Sequence, residues 1–320
     1  MKFIGIDEAG YGPNLGPMVM AAVIVESRDA RRPDVWRDLA ATVGRANSGR
    51  DRVWIDDSKA IYSGGKGRDR LEATSLTLLD ATGSAVPSSY AQWLRAVNAG
   101  SLESVELSPW LASGEDPAVP RDSAREVLSQ HLAMHPFDGC SWKISEVRAE
   151  VVGPSRFNAG IDRGGNKAAA HFDAFARLLV PIWDAMEPGA SASVRADKHG
   201  GRHYYLEPLS RAFPDAWIDR GEEGPSGSSY VIRDNAQSKR IELTFAPRAD
   251  ADDGLVAMAS ITAKALREVW MRAFNAHWAA ILPGLRPTAG YPADAKRFRA
   301  EIESVCASRG LAASQWWRRA

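Results

Sequence analysis

The sequence has 320 residues, of which 40 are lysine or arginine and 40 are aspartate or glutamate, so its formal net charge is zero with histidine neutral. Hydrophobic residues make up 45% and charged residues 25%, which are ordinary values for a globular protein and exclude a largely disordered, collagen-like or coiled-coil chain. Two cysteines are too few for a disulfide framework or a cysteine-rich zinc module.

The N-terminal ten residues do not have the pattern of a signal peptide, because two carboxylates interrupt their short apolar run. No stretch reaches the roughly 18 apolar residues of a membrane-spanning helix. We therefore expect a cytoplasmic protein with no membrane partner. The neutral net charge leaves a nucleic-acid partner open, since a local basic patch can lie beside an acidic site.

The first predicted elements are two short buried strands joined by a glycine-rich turn. Residues 3–7 and residues 18–25 are apolar runs of strand length, and residues 10–17 between them are rich in glycine and proline. Residues 68–79 have helical spacing in part. The chain is therefore expected to open with a strand pair followed by a helix.

Between about residues 80 and 150 the composition changes, because proline, glycine, serine and tryptophan cluster there. This composition predicts a loop-rich insertion or small subdomain, although residues 143–152 alternate in polarity as a strand does. His131 and His135 have a helical spacing but lack a third ligand, so we expect them at the surface.

The second half of the sequence alternates between predicted strands and helices. Apolar residues recur at intervals of three and four over residues 166–186 and again over residues 255–278, which predicts two helices. Residues 190–197 predict a strand that ends on an acid, and residues 230–234 and 239–246 predict a hairpin. These elements indicate an α/β protein.

Four acidic positions stand at the ends of apolar segments, and they are Asp7, Glu8, Asp197 and one of Asp250, Asp252 and Asp253. Carboxylates that converge at the rim of a sheet repel one another unless a cation neutralises them. Oxygen-only ligands suit Mg²⁺ or Mn²⁺, and two such ions about 4 Å apart can activate a water and stabilise the leaving oxygen of a phosphodiester.

Asp7 and Glu8 can share such a site only if the strand ends there, because neighbours in a regular strand point to opposite faces. The following glycines allow a break at that point. The alternative is that the pair lies in a solvated turn.

Residues 4–22 closely resemble the opening signature of the type 2 ribonucleases H, ribonucleases HII and HIII. Further segments resemble elements of that family in the same order, namely Asp57-Ser58-Lys59, residues 194–197, residues 257–264 and Gly290-Tyr291-Pro292. On these motifs the chain is identified as a divergent member. The resemblance implies an RNase H-like α/β fold with a mixed sheet flanked by helices and a loop-rich insertion. The implied division is a catalytic core over 1–79 and 151–300, an insertion or subdomain over 80–150 and a tail over 301–320.

The resemblance also implies a metal site and an activity. Asp7 and Glu8 correspond to the first two acids, Asp197 to the third, and Asp250 to the fourth by its spacing from the helix signature, with Asp252 and Asp253 as alternatives. The implied activity is endonucleolytic hydrolysis of the RNA strand of an RNA–DNA hybrid, or of DNA containing ribonucleotides. It uses Mg²⁺ or Mn²⁺ and leaves a 5′-phosphate and a 3′-hydroxyl. The alternative is a non-catalytic nucleic-acid-binding or scaffold protein that kept the fold.

The family's glycine loop, which reads the ribose and the phosphate, corresponds to Gly10, Tyr11 and Gly12. Ribonuclease HII usually has arginine at the central position, and tyrosine cannot donate the same charged, bidentate contact. Whether a single ribonucleotide or a longer RNA stretch is preferred therefore stays open.

Four further residues are candidates for substrate binding, each with a structural alternative. They are Lys59, which is otherwise a solvated lysine; Asn166, otherwise a helix cap; Lys264, otherwise a surface partner of Glu268; and Tyr291, otherwise a turn residue. Residues 197–203 contain His199 and His203, and we interpret them as a mobile basic loop rather than a zinc site.

Overall fold

The computed structural model describes residues 1–49, 51–63, 66–97, 109–112, 116–236 and 238–319. Within these residues the main sheet has seven strands in the order β5-β2-β1-β6-β9-β8-β7, and a separate pair joins β3 to β4. The strands are β1 Lys2–Ala9, β2 Met18–Ser27, β3 Val43–Gly44, β4 Val53–Trp54, β5 Trp142–Val152, β6 Ser191–Asp197, β7 Ala216–Gly224, β8 Gly227–Asp234 and β9 Arg240–Ala246.

Helices cover both faces of this sheet. Those before β5 are α1 Val35–Asp38, α2 Ser58–Tyr62, α3 Gly67–Asp80, α4 Tyr90–Ala96, α5 Pro109–Ala112 and α6 Arg125–Met134. Those after β5 are α7 Pro154–Gly164, α8 Lys167–Asp184, α9 Leu206–Ala212, α10 Ala249–Asp252, α11 Gly254–Ile281 and α12 Pro292–Ser308. None of the described helices is long and apolar enough to cross a membrane.

Alternation along the strands divides the apolar residues between two cores. On β1, Phe3 packs into the core that contains α3 and α11, whereas Ile4 and Ile6 pack into the core that contains α8. The strand is therefore buried on both faces, which explains its continuous apolar run. The predicted α/β fold with a mixed sheet flanked by helices is confirmed.

The long helix α11 lies directly against the central strand. A Cβ atom at Gly5 would come within 2.2 Å of the backbone of Leu255, so only glycine permits this approach. The close contact fixes the start of α11 beside the carboxyl half of β1, where the acidic residues lie.

Most predicted elements are confirmed, but the first strand is longer than the sequence suggested. We expected it to end at residue 7, whereas β1 continues to Ala9, which pairs with Val19 of β2. Hydrogen bonding along this hairpin therefore outweighs the tendency of the following glycines to end the strand.

Between α3 and β5 the described residues form the short helices α4, α5 and α6 with loops between them, as a loop-rich insertion predicts. Strand β5 begins within the 80–150 segment and pairs with β2 in the main sheet. The division of the chain into a core, an insertion and a tail stays a prediction.

The expectation that both histidines of α6 lie at the surface is wrong for one of them. His131 is 5% exposed, because α6 packs against α3, whereas His135 ends the helix in a left-handed conformation and is exposed.

Candidate active site

The carboxyl ends of parallel strands bring the acidic residues to one edge of the sheet. β1 pairs in parallel with β6, and Ile6 lies opposite Ala196, so the next residues along each strand, Asp7 and Asp197, reach the same level. β9 also runs parallel to β6 and leads within a few residues to α10, which carries Asp250. The fold thus gathers three acids from distant parts of the sequence.

Asp7 points towards α11 and is 6% exposed. Its carboxylate accepts the backbone N–H of Glu8 at 2.7 Å and the hydroxyl of Ser260, which lies 3.1 Å from the Ser58 hydroxyl. Burial raises the pKa of Asp7 well above its ordinary value, and the charges of Glu8, Asp197 and Asp250 raise it further.

Asp197 and Asp250 are affected in the same direction. The pKa of Asp197 is raised by burial and by the charge of Glu8, although its Oδ1 accepts the Ala249 N–H at 3.0 Å. The pKa of Asp250 is raised to about 6, first by burial and then by the charges of Asp57 and Asp197. These carboxylates are therefore close enough to repel one another.

Glu8 lies on the opposite face of β1 from Asp7, as strand geometry requires. Its Oε1 is 3.4 Å from Nε2 of His171 on α8, and the His171 side chain is fully buried. The His171 ring packs edge-on against His199 at 4.3 Å between centroids, and burial and His171 lower the pKa of His199. The Glu8 carboxylate therefore lies beside a histidine, whereas the Asp7 carboxylate lies beside other acids.

The three late aspartates have different environments. Asp253 caps α11 and forms an ion pair with Arg32, with Oδ2 2.5 Å from Nε, so its carboxylate is already neutralised. Asp252 is exposed. Asp250 is the one of the three whose charge raises the pKa of Asp7, and the charge of Asp197 in turn raises the pKa of Asp250.

The donor atoms fit a hard divalent cation, because they are carboxylate oxygens at a partly buried edge. Within the described part of the chain, no lysine or arginine forms an ion pair with Asp7, Glu8, Asp197 or Asp250. The same residues contain no group of three or more acidic, histidine or cysteine side chains already drawn together around one point for a metal ion. The acids share an edge, and Asp7 and Glu8 approach it from opposite faces of the strand.

Two buried arginines, Arg267 and Arg318, contact the glycine loop. Gly10 has a φ of +84°, and a Cβ there would lie 2.5 Å from Nε of Arg267, so only glycine fits. Arg318 from the C-terminal tail donates to the carbonyls of Gly10, Tyr11 and Pro13. Gly12 is exposed, with open space around it.

Tyr11 lies beside the acidic edge rather than in solvent. Its ring packs edge-on against His171 at 4.5 Å, and Lys167 Nζ lies 4.7 Å from the ring centroid. Burial and the charge of Glu8 raise the pKa of Tyr11. The neighbouring Asn166 caps α8 by accepting the Ala169 N–H at 2.9 Å, which confirms its predicted structural role.

The remaining substrate-binding candidates lie in separate places. Lys59 is exposed, and its charge lowers the pKa of Asp250, so it lies near the acids. Lys264 forms an ion pair with Glu268 at 3.1 Å, as its structural alternative predicts. Tyr291 is 50% exposed and precedes α12.

The interpretation of residues 197–203 as a mobile basic loop is wrong for its first part. Lys198 and His199 are 7% and 3% exposed, because the aromatic rings of Phe175, Tyr205 and Phe245 surround His199.

Sequence reasoning missed several residues of this edge. Asp57, Ser58 and Ser260 lay within the quoted motifs, so their polar side chains were an available signal. No local pattern pointed to His171 or to Arg318, which reaches the glycine loop from the far end of the chain.

Comparisons with known proteins support the resemblance drawn from residues 4–22. The ribonuclease HII family model matches residues 4–33. Over this N-terminal segment the chain is similar to the ribonuclease HII family. No curated protein matches the chain in sequence.

Solved structures of these enzymes align over 99% of the chain at low identity. Ribonuclease HII of Archaeoglobus fulgidus, solved with PCNA, has 14% identity, 93% of its chain covered and a TM-score of 0.45. Ribonuclease H2 of Pyrococcus horikoshii OT3 has 15% identity, 92% covered and a TM-score of 0.43. Bst-RNase HIII in complex with Mn²⁺ has 15% identity, 66% covered and a TM-score of 0.40.

Proposed function

We propose that the chain is a metal-dependent endonuclease that hydrolyses the RNA strand of RNA–DNA hybrids, or DNA containing ribonucleotides. The observation that carries the proposal is the buried carboxylate of Asp7, whose pKa is raised first by burial and then by the charges of Glu8, Asp197 and Asp250. Such an arrangement costs folding free energy in the absence of a cation, so it favours a site that binds one.

In this proposal Asp7, Glu8, Asp197 and Asp250 hold Mg²⁺ or Mn²⁺. When bound, two divalent cations would supply an activated water and stabilise the departing 3′ oxygen, so that the products would carry a 5′-phosphate and a 3′-hydroxyl. The Ser260 hydroxyl, which lies beside the Ser58 hydroxyl, helps to orient the Asp7 carboxylate. The backbone of Gly10, Tyr11 and Gly12 positions the strand, with Lys59 on a phosphate near Asp250.

A specific observation favours a second candidate, a non-catalytic nucleic-acid-binding protein that kept the fold. Asp7 and Glu8 approach the edge from opposite faces of β1, and the described side chains do not converge around one metal position. For the enzyme, the carboxylates would therefore have to come closer together around a metal ion than they do among the described residues.

A cleavage assay with Mg²⁺ and with Mn²⁺ separates the two candidates. The substrates are a labelled RNA–DNA hybrid and a DNA duplex that contains one ribonucleotide, and Asp197→Asn is the control for contaminating nuclease. The enzyme predicts metal-dependent cutting that Asp197→Asn removes. Binding without cutting, by folded protein with either metal, would instead support the second candidate.

A further inference from the structure

A basic pocket lies between β4, the start of α3, and α6. Its volume is about 310 Å³, and its walls include Arg52, Lys66 and Arg70, with Glu126 as a carboxylate. None of the three basic side chains forms an ion pair or a side-chain hydrogen bond with a described residue. The wall therefore carries three positive charges against the single carboxylate of Glu126.

Contacts between residues of the pocket wall hold its side chains in place. The Arg70 guanidinium lies 4.0 Å from the ring centroid of Trp54, and Trp54 itself donates from Nε1 to the Gly49 carbonyl at 2.6 Å. Trp54 is 8% exposed, so its covered face positions Arg70 and does not receive a base. This leaves the half-buried Arg52 and the exposed Lys66 without an ion pair to a described residue.

A second and independent feature is an unsatisfied polar atom at the pocket wall. His131 is 5% exposed, and its Nδ1 has no hydrogen-bond partner among the described residues. Burial and the charge of Arg70 lower the pKa of His131 to about 4, so the ring is neutral at neutral pH. A buried polar group without a partner costs free energy unless a ligand or water satisfies it.

We propose that this pocket binds a phosphate group, and that in the working protein the phosphate belongs to the backbone of the hybrid cut at the carboxylate edge. The second half of this inference rests on the proposed function. Arginine and lysine together recognise phosphate oxygens by charge and by directed N–H groups.

The position of the pocket suits a backbone phosphate. Trp54 and Asp57 are three residues apart, which spans at most about 11 Å of chain. The charge of Asp57 acts on Asp250, so the strand that supplies Trp54 to the pocket wall leads within three residues to a side chain near the acids. A duplex carries one phosphate per about 3.4 Å of axis in each strand, so a bound hybrid presents several phosphates within this reach. Because α6 supplies His131 and Glu126, the inference gives the 80–150 segment a role in holding substrate.

The test uses the full chain with Arg52→Gln and Lys66→Gln combined, and Lys296→Gln as the matched control. Lys296 is an exposed lysine on α12 outside the pocket. Hybrid affinity is measured by fluorescence anisotropy across a range of salt concentrations, in Ca²⁺ to prevent cutting. Loss of each phosphate contact is expected to reduce the slope of log K against log salt by about 1, so the double variant should lose up to about 2. The Lys296→Gln slope should equal that of the wild type.

A second experiment uses inorganic phosphate alone. It distinguishes a backbone phosphate of the hybrid from a free phosphate ester as the ligand of the pocket. Phosphate should raise the melting temperature of the wild type and of Lys296→Gln above a chloride control of equal ionic strength, but not that of the double variant. If phosphate stabilises only proteins with the intact pocket while hybrid affinity is unchanged, the phosphate site stands and a free phosphate ester is its ligand.

Failure of the inference differs from failure of the proposed function. Equal salt slopes and equal phosphate responses in all three proteins would overturn the phosphate site, even if the wild type cuts hybrids. A wild type that neither binds nor cuts hybrids, but responds to phosphate through this pocket, would overturn the proposed function and leave the phosphate site in place.

Discussion

Asp7 and Asp253 are buried to the same extent, each 6% exposed, yet different groups surround their two carboxylates. Asp253 accepts the N–H groups of Leu255 and Val256 and pairs with Arg32, so helix and cation both stabilise its carboxylate. Asp7 has two hydrogen-bond donors and three acidic neighbours. Burial alone therefore does not identify a functional acid. A buried carboxylate that has no cationic side chain beside it does, however, indicate a cation that binds from solution.

The largest expected effect comes from removing the charge of Asp7. Asp7→Asn should lower the rate of hybrid hydrolysis by about a thousandfold or more, which corresponds to about 4 kcal/mol in the barrier, because a metal ligand is lost at the reacting centre. Single-turnover cleavage of a labelled hybrid measures this change. A variant that retains wild-type rates would show that Asp7 is not part of the reaction.

Asp253→Asn should have the opposite profile, with lost stability and retained activity. Asparagine can still cap α11, but Arg32 loses its partner, and breaking such a pair costs about 3 kcal/mol. Urea unfolding measures the loss, and cleavage per folded molecule should stay near that of the wild type. Equal stability of the two proteins would mean that the Arg32 pair contributes little.

The pH dependence of the metal-free protein is a smaller effect. The pKa of Asp250 is raised from its ordinary 3.8 to about 6, so between these values the folded protein holds a proton that the unfolded chain has released. The free energy of unfolding should therefore fall as pH rises from about 4 to about 6, and the raised pKa of Asp7 adds to the same trend.

Urea unfolding in EDTA at several pH values measures this slope, and Asp7→Asn is expected to flatten it. Added Mn²⁺ should stabilise the wild type increasingly as pH rises, since metal binding requires ionised carboxylates. A metal-free protein whose stability rises over this range would contradict the raised pKa values.

The smallest expected effect concerns Tyr11. Tyr11→Arg should increase cutting at a single ribonucleotide relative to the uniform hybrid by about tenfold, because a charged donor replaces a ring in the loop that we propose to contact the substrate. Parallel assays on the two duplexes measure the ratio. Tyr11→Phe keeps the ring against His171 and should leave the ratio unchanged, and an equal change in both variants would indicate a loss of packing instead.

Much of the sheet and the long helices followed from apolar periodicity, because β1, β2, α8 and α11 each bury a face that their own sequence marks. Apolar periodicity did not predict which of Asp250, Asp252 and Asp253 lies with the other acids. Asp253 is set apart by Arg32, a partner more than two hundred residues away in the sequence.

Local sequence patterns also did not predict the surroundings of the site. Burial of His131 depends on how α6 packs against α3, and the support of Gly10 depends on Arg318 at the end of the chain. Such contacts arise from tertiary packing, which local spacing does not encode. The opposite faces of Asp7 and Glu8 were foreseen as a geometric requirement, but the continuation of β1 to Ala9 was not.

The central claim is that a divalent cation compensates the charge of Asp7, as Arg32 compensates that of Asp253. The most direct test counts bound Mn²⁺ by electron paramagnetic resonance, with a hybrid whose RNA strand cannot be cleaved. We predict two Mn²⁺ per chain in the wild type and in Asp253→Asn, and fewer in Asp7→Asn. Equal Mn²⁺ occupancy in Asp7→Asn and the wild type, or no bound Mn²⁺ in either, would contradict the account.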